Sequence, residues 1–239
     1  MSSSSSLPDK EKIVQKMFSS IARFYDLNNT LLSFGLHHRW KLRTIDIAAL
    51  QPGETVADIG AGTADLSILA AGAVGKNGRI ISIDLNEPML RIGKRKLAAR
   101  QIKQSLCTLG NAEKIPLPDR SVDAVLTGFC MRNVSDLDQA LSEIHRIVKT
   151  GGRMVCLEFS TPPGPILRKL YDFYSFTLLP KIGTWISKDP TGVYTYLPDS
   201  IRKFPNQEAL KQRMKRVGFK EVIYENLTGG IVALHIGKK

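Results

Sequence analysis

Gly60, Ala61 and Gly62 close the apolar run Val56-Ala57-Asp58-Ile59 and lead into Thr63-Ala64-Asp65-Leu66, where the pattern becomes helical. A strand, a tight turn of small residues and a helix, in that order, let the backbone approach a ligand closely and aim free N–H groups at it. A second run, Arg79-Ile80-Ile81-Ser82-Ile83-Asp84, ends in a carboxylate where the second strand of a βαβ unit sets an acid against ribose hydroxyls. The predicted chemistry is recognition of a nucleotide-like ligand. Asp65 occupies the position that a G-x-G-x-x-G fingerprint fills with its third glycine, so pyrophosphate is poorly supported. S-adenosylmethionine has a ribose, an adenine, an amino-acid end and a transferable sulfonium methyl but no phosphate, and it fits what remains. A glycine pair alone reads equally as a plain turn before a packing helix; the downstream Asp84 shifts the balance.

The elements that must hold these residues alternate in type. After Asp84, Glu87-Pro88 opens a basic helix to about Ala99, and Ser105 to Leu109 is the third strand. Val122 to Thr127 is the fourth strand. A helix carries the stripe Leu137, Leu141, Ile144, Val148 and is expected to stop at Gly151-Gly152, before a fifth strand from Arg153 to Phe159. Five alternations predict a parallel sheet covered on both faces, with ligands at the carboxyl ends of the strands. This is the α/β arrangement of a class I S-adenosylmethionine-dependent methyltransferase, a Rossmann-like, mostly parallel sheet. Lys220 to Leu227 and Ile231 to Ile236 add a C-terminal antiparallel hairpin, after a helix with Leu210, Met214 and Val217 on one face.

The 239 residues suit one large domain. Residues 1–10, with the serine run Ser2 to Ser6, are expected to be a disordered lead-in to a single domain over 11–239. Within it, 11–50 reads as an N-terminal helical cap. Residues 161–204, with the apolar stretch Leu170 to Leu179, read as a lid-like insertion; a buried core helix is the competing reading. The chain shows neither a secretory leader nor an apolar stretch of roughly 20 residues, so a cytoplasmic protein is expected. Cys107, Cys130 and Cys156 fit a reducing compartment, and His37, His38, His145 and His235 show no metal-ligand spacing, so no metal is expected. The formal charge of +12 attracts anionic partners. A solvated surface explains most of it, since the excess lies along two helical segments.

Three groups of residues carry a resemblance that spans nearly the whole chain: Met17-Phe18-Ser19-Ser20-Ile21-Ala22-Arg23-Phe24-Tyr25-Asp26, Phe129-Cys130-Met131-Arg132-Asn133-Val134 and Leu157-Glu158-Phe159-Ser160. Tyr196 to Pro205 and Gly229 to His235 extend it beyond the shared methyltransferase core. The sequence resembles the C-methyltransferases of ubiquinone and menaquinone biosynthesis. The resemblance implies cofactor binding by Gly60 and Thr63 in the turn, Asp84 on the ribose, and Asn111 and Ala112 beside the adenine. Ala64 stands where that family usually has glycine and is expected to be harmless at a helix start. Thr150 replaces a common proline, and Gly128 stands where relatives can carry serine.

The resemblance also implies a reduced, polyprenylated quinol as substrate, either a naphthoquinol or a benzoquinol, with demethylmenaquinol to menaquinol preferred. Methylation at carbon needs an electron-rich ring, and loss of a phenolic proton supplies density beside the oxygen. Arg132 is the candidate for stabilising that oxyanion. Asp26 and Tyr25 are candidates for assisting proton removal, with helix capping or core packing as competing roles. Peripheral contact with the inner face of a membrane is expected. An RNA or other small-molecule methyltransferase is the alternative, but no aromatic-plus-basic RNA module is evident and no nucleic-acid partner is expected. Asp65 weighs against a dinucleotide oxidoreductase, and the retained Tyr25-Asp26 and Arg132-Asn133 weigh against a scaffold without catalysis.

Overall fold

The computed structural model describes residues 7–187 and 192–239. Its frame is a seven-stranded sheet built from β1 (Thr55–Ile59), β2 (Arg79–Asp84), β3 (Ser105–Leu109), β4 (Val122–Gly128), β5 (Val148–Phe159), β6 (Lys220–Leu227) and β7 (Val232–Lys238). The hydrogen-bonded order is β3-β2-β1-β4-β5-β7-β6. β1 to β5 are parallel, as the alternation requires. β7 runs antiparallel between β5 and β6, so the terminal hairpin joins the sheet through its second strand.

Helices α3 (Leu36–Ala48) and α4 (Asp65–Val74) cover one face, burying Trp40, Leu66, Ala70 and Val74 against Val56, Ile80, Leu126 and Val155. On the other face α6 (Leu137–Ile147) and α10 (Gln207–Arg216) bury Leu141, Ile144, Leu210 and Met214 against Ile59, Ile83, Val125 and Met154. Each helix sets an alternating strand face to use, which is why β1, β2 and β4 read as near-continuous apolar runs. Starts are chemically marked. Asn86 accepts from the Met89 N–H at 3.1 Å to open α5 (Glu87–Ala99), and Asp136 does the same from Gln139 at 3.0 Å for α6.

Two boundaries differ from expectation. α6 ends at Ile147, because Val148 already pairs with Val122. The expected stop, Gly151-Gly152, lies inside β5, where Gly151 has φ +80° and the register with β4 shifts before Arg153 pairs with Ala124. At the N-terminus α1 (Leu7–Ile21) starts ahead of the expected lead-in boundary, so 7–10 are helical and the Lys10 ammonium donates to the Val134 carbonyl at 2.5 Å. The serine run lies outside the described residues.

Above the carboxyl edge of the sheet stand α1, α2 (Tyr25–Leu32) and the segment after β5: α7 (Pro165–Phe173), a π-helical stretch Tyr174–Leu178, α8 (Leu179–Ser187) and α9 (Val193–Lys203). Ile21, Leu179, Val193 and Tyr194 form a small third core that joins these segments. α7 buries no residue, and further along the same apolar stretch Leu179 packs in the small third core rather than in either cluster against the sheet. Among the described residues no helix is long and apolar enough to cross a membrane.

Candidate active site

The turn after β1 is shaped by a close approach. Gly60 has φ +72°, and a Cβ at this position would run into the Cys130 side chain at the end of β4. The N–H groups of Gly60 and Ala61 both donate to the Ile83 carbonyl, at 2.8 and 3.0 Å, which clamps the turn to β2. Asp84 closes the arrangement. Its Oδ2 accepts from the Gly62 N–H at 2.7 Å and its Oδ1 from the Asn86 N–H at 2.7 Å, which leaves acceptor capacity for a hydroxyl donor. Burial pushes the Asp84 carboxyl up from its usual value, and the N–H groups of Asn86, Gly62 and Leu85 oppose that shift.

Gly60, Gly62, Asp84 and Asn86 line a pocket that also takes in Asn111, Ala112, Gly128 and Phe129. Asn111 is a turn residue and a wall residue at once: its Oδ1 accepts from the Glu113 N–H at 2.8 Å, and its Nδ2 donates to Glu11 at 3.3 Å. The facing wall comes from α1, through Glu11, Val14, Gln15 and Phe18. Asn86 ties it down, its Nδ2 donating to the Gln15 carbonyl and the Ser19 hydroxyl, both at 2.9 Å. No sequence signal placed α1 over this pocket, because the contact spans some 70 residues of chain.

Thr63 and Asp26 meet each other. The Thr63 hydroxyl is buried and donates to Asp26 Oδ1 at 2.6 Å, and neither residue is in the lining of this pocket. Asp26 Oδ2 takes the Lys96 ammonium at 2.8 Å, Lys96 also meets Asp65 at 2.5 Å, and Asp65 receives Lys41 at 2.7 Å. Burial alone would raise the Asp65 carboxyl; Lys41 and Lys96 outweigh it and bring it down to about 2. Asp65, read in the sequence only as a missing glycine, thus anchors α2, α3 and α5 to the turn.

A second, larger and mostly apolar cavity is lined by residues of α2, α7 and α9. It meets the first at Phe18, Tyr25 and Phe129, which line both. Trp40, Phe129 and Phe159 form an aromatic wall, with the Phe129 and Phe159 ring centroids 4.6 Å apart. Phe129 has φ +57°, a strained conformation held by its carbonyl, which accepts from Arg132 Nη1 at 2.7 Å, and by its N–H on the Leu157 carbonyl at 2.8 Å.

Arg132 lines this cavity and is almost fully buried. Nη1 also donates to Glu158 Oε1 at 2.7 Å, the Arg132 backbone N–H reaches Glu158 Oε2 at 3.2 Å, and the guanidinium lies 5.3 Å from the Phe159 ring centre. Nε has no partner. Burial works against its charge, but Glu158, Tyr25 and Tyr196 more than offset it, so the group holds its proton more tightly than a free arginine. Burial, opposed by Asn29 and Arg132, pushes the Tyr25 phenol up to about 12, so it is a neutral hydroxyl at pH 7. Glu158 was within a quoted motif but was given no role; it is the counter-charge that makes a buried Arg132 tolerable.

A small-molecule pocket that adjoins an apolar cavity, with a buried cation bonded to one of the residues they share, suits group transfer to a hydrophobic acceptor. Residues 7–239 match the model of the ubiE/COQ5 methyltransferase family. The chain belongs to that family. It is 44% identical, over 97% of its own length and 92% of the relative's, to the ubiquinone/menaquinone biosynthesis C-methyltransferase UbiE of Legionella pneumophila (strain Corby). Its fold is similar to a SAM-dependent methyltransferase from Aquifex aeolicus, with a TM-score of 0.61 at 18% identity over 82% of this chain and 88% of that one. A Haemonchus contortus phosphoethanolamine N-methyltransferase 2 in complex with S-adenosyl-L-methionine gives a TM-score of 0.60 at 15% identity, over 80% and 49% of the two chains.

This methyltransferase uses S-adenosylmethionine as methyl donor, and its residues fit the group. Gly60 and Gly62 bring bare backbone to the pocket wall, Asp84 keeps acceptor capacity for a ribose hydroxyl, and Asn111 and Ala112 form an edge for a base. One family departure matters physically. Ala64, expected to be harmless, has φ +65° and ψ +29°, the left-handed region that penalises a Cβ. Its Cβ packs over Gly93 of α5, where any side chain would strike Ala64 and the Thr63 backbone. At Gly128, a serine Cβ would come within 2.8 Å of Leu66 Cδ1.

Proposed function

We propose that this methyltransferase transfers the S-adenosylmethionine methyl group to a ring carbon of a polyprenylated quinol, with demethylmenaquinol to menaquinol as the reaction. The observation that carries this reading is the junction at Phe18, Tyr25 and Phe129, where the cofactor pocket adjoins the apolar cavity. The name of the Legionella relative, which is given to quinone biosynthesis, supports the same substrate class. The aromatic wall of Trp40, Phe129 and Phe159 suits a flat, fused ring.

S-adenosylmethionine supplies an electrophilic methyl group on sulfur. The chain's own task is to make the ring carbon nucleophilic and to hold it in line. Arg132 remains charged inside the cavity and favours the phenolate over the phenol, which raises electron density at the adjacent carbon. Tyr25 at the junction, protonated at neutral pH, donates a hydrogen bond rather than removing a proton. Asp26, with both oxygens engaged by Thr63 and Lys96, positions α2 and hence Tyr25. Apolar walls exclude water and align the reacting atoms.

The tail leaves through a mouth ringed by exposed apolar side chains. Phe34 is 80% exposed, Ile166 77%, Leu170 63% and Phe173 60%, and Phe34 and Leu170 also line the cavity. Arg168 and Lys169 flank them on α7. Such a patch exceeds scattered surface apolars and suits docking on an anionic bilayer, so that the isoprenoid stays in lipid while the ring enters. Incubation with labelled S-adenosylmethionine and a panel of reduced benzoquinols and naphthoquinols tests the substrate: naphthoquinols should be methylated fastest, and benzoquinols alone reacting would refute the ring assignment. Salt-reversible sedimentation with anionic vesicles tests the docking.

A further inference from the structure

Two buried polar atoms on the α2–α3 side of the substrate cavity have no hydrogen-bond partner among the described residues: Asn28 Oδ1 and His37 Nδ1. Both residues line the cavity, and both are nearly inaccessible to water. Native interiors leave few such groups, and each calls for a reason. Their chemistry is fixed by their neighbours. The Thr30 hydroxyl donates to the Asp26 carbonyl at 2.9 Å, which uses its one proton. Its oxygen, 3.0 Å from His37 Nε2, therefore accepts, and the ring proton sits on Nε2. Nδ1 is left as a bare lone pair. Burial, helped by Lys41 and His38, brings the His37 pKa down to about 4, so the imidazole is neutral at pH 7. The Asn28 Nδ2 donates to the Tyr194 hydroxyl, which turns Oδ1 the other way as an acceptor.

The cavity thus has unlike poles. On the sheet side Arg132 brings only donors, with Nε unpartnered; on the α2–α3 side lie two acceptors. A quinol that has lost one proton offers an oxyanion at one end and an O–H at the other, and matches both poles. A quinone offers a carbonyl acceptor at each end, and at the second pole it would set acceptor against acceptor.

We propose that His37 and Asn28 form an acceptor pole that takes the remaining O–H of the reduced ring, so that the protein selects quinol over quinone at the binding step. This rests on the quinol reading above and adds two specificity-determining residues to it. Both atoms are covered by neighbouring groups, so the His37 ring and the Asn28 amide must turn toward the cavity as the substrate ring enters. A site built to satisfy a donor discriminates strongly against an analogue that lacks it.

The test measures binding to protein loaded with S-adenosylhomocysteine, so that no turnover occurs, using a short-chain 1,4-naphthoquinone and its dithionite-reduced quinol without oxygen. The parent should bind the reduced form at least about 10-fold more tightly. His37→Met should weaken the quinol about 10-fold while leaving the quinone nearly unchanged, and His37→Gln, which keeps an acceptor, should restore most of the difference. Asn28→Leu should act in the same direction and carries the test if His37→Met does not fold. Equal binding of the two redox forms by the parent overturns the proposal. So does a loss in His37→Met that is the same for both forms, since shape alone explains that. Methyl transfer by the parent to the same quinol separates the two readings: transfer without redox discrimination sinks only this inference, whereas absence of transfer to any quinol sinks the function on which it rests.

Discussion

The Thr63 hydroxyl donates to Asp26 Oδ1 at 2.6 Å, joining the cofactor turn to the helix that carries Tyr25. Two residues that the resemblance assigns to separate tasks are bonded to each other, and Lys96 completes the link to Asp65. Asp26→Asn should therefore act through the cap. It loses one ion pair and weakens a hydrogen bond, costing about 1–2 kcal/mol of stability and several-fold in S-adenosylmethionine affinity. Turnover at saturating cofactor should fall by less than about 10-fold. Calorimetry and steady-state rates on one preparation check this; a loss of about 1,000-fold in turnover with unchanged melting would return Asp26 to proton transfer.

Arg132→Gln leaves the buried Glu158 carboxylate without its counter-charge, so stability should drop by about 3–5 kcal/mol. Arg132→Gln combined with Glu158→Gln removes both charges and should recover most of the melting temperature. If Arg132 acts on the substrate oxygen, single-turnover transfer should stay about 100-fold low in the double variant. Recovery of the rate together with stability would show that Arg132 only braces the loop after β4.

Ala64→Gly relieves a left-handed alanine and should stabilise the protein by about 1 kcal/mol, or a few degrees in Tm. Cofactor affinity should not change, since the Cβ faces Gly93 rather than the pocket. Chemical denaturation decides the matter. A loss of stability would mean that the packing over Gly93 outweighs the backbone penalty.

Asp58 and Asp65 set opposite pH dependences. Asp58 is buried under the Ser67 N–H and hydroxyl, at 2.9 and 2.6 Å, and burial raises its carboxyl from 3.8 to about 6 despite those bonds. Because the folded state binds the proton more tightly, its contribution is full below about pH 4 and is lost as pH rises through about 6. Asp65, lowered to about 2, contributes above pH 4 and loses that contribution as pH falls toward 2. Asp58→Asn should flatten the stability profile between pH 4 and 6 and leave the acid limb below pH 4 in place. Urea titrations across that range measure the difference; a parallel shift of the whole curve would contradict the assignment.

The parallel frame was legible because its signals are local. β2 and β3 have the expected ends, and Asp84, Asn111 and Ala112 stand at one pocket because successive strands end on one edge. What could not be read arises from contacts distant in sequence. Glu158 meets Arg132 across 26 residues, and Asn28 meets Tyr194 across 166. The insertion of β7 beside β5 depends on Leu234 and Ala233 completing the sheet, which no hairpin pattern encodes. The end of α6 was misplaced because Gly151 reads as a helix stop whether it follows a helix or bends a strand.

The most direct measurement uses S-adenosylmethionine carrying a deuterated methyl group and a short-chain demethylnaphthoquinol kept reduced, with the product read by mass spectrometry and NMR. The account predicts that the label appears on the ring carbon beside a phenolic oxygen, and that the oxidised quinone stays unlabelled. Label on oxygen, equal labelling of the quinone, or no label on any quinol while RNA takes it up would contradict it.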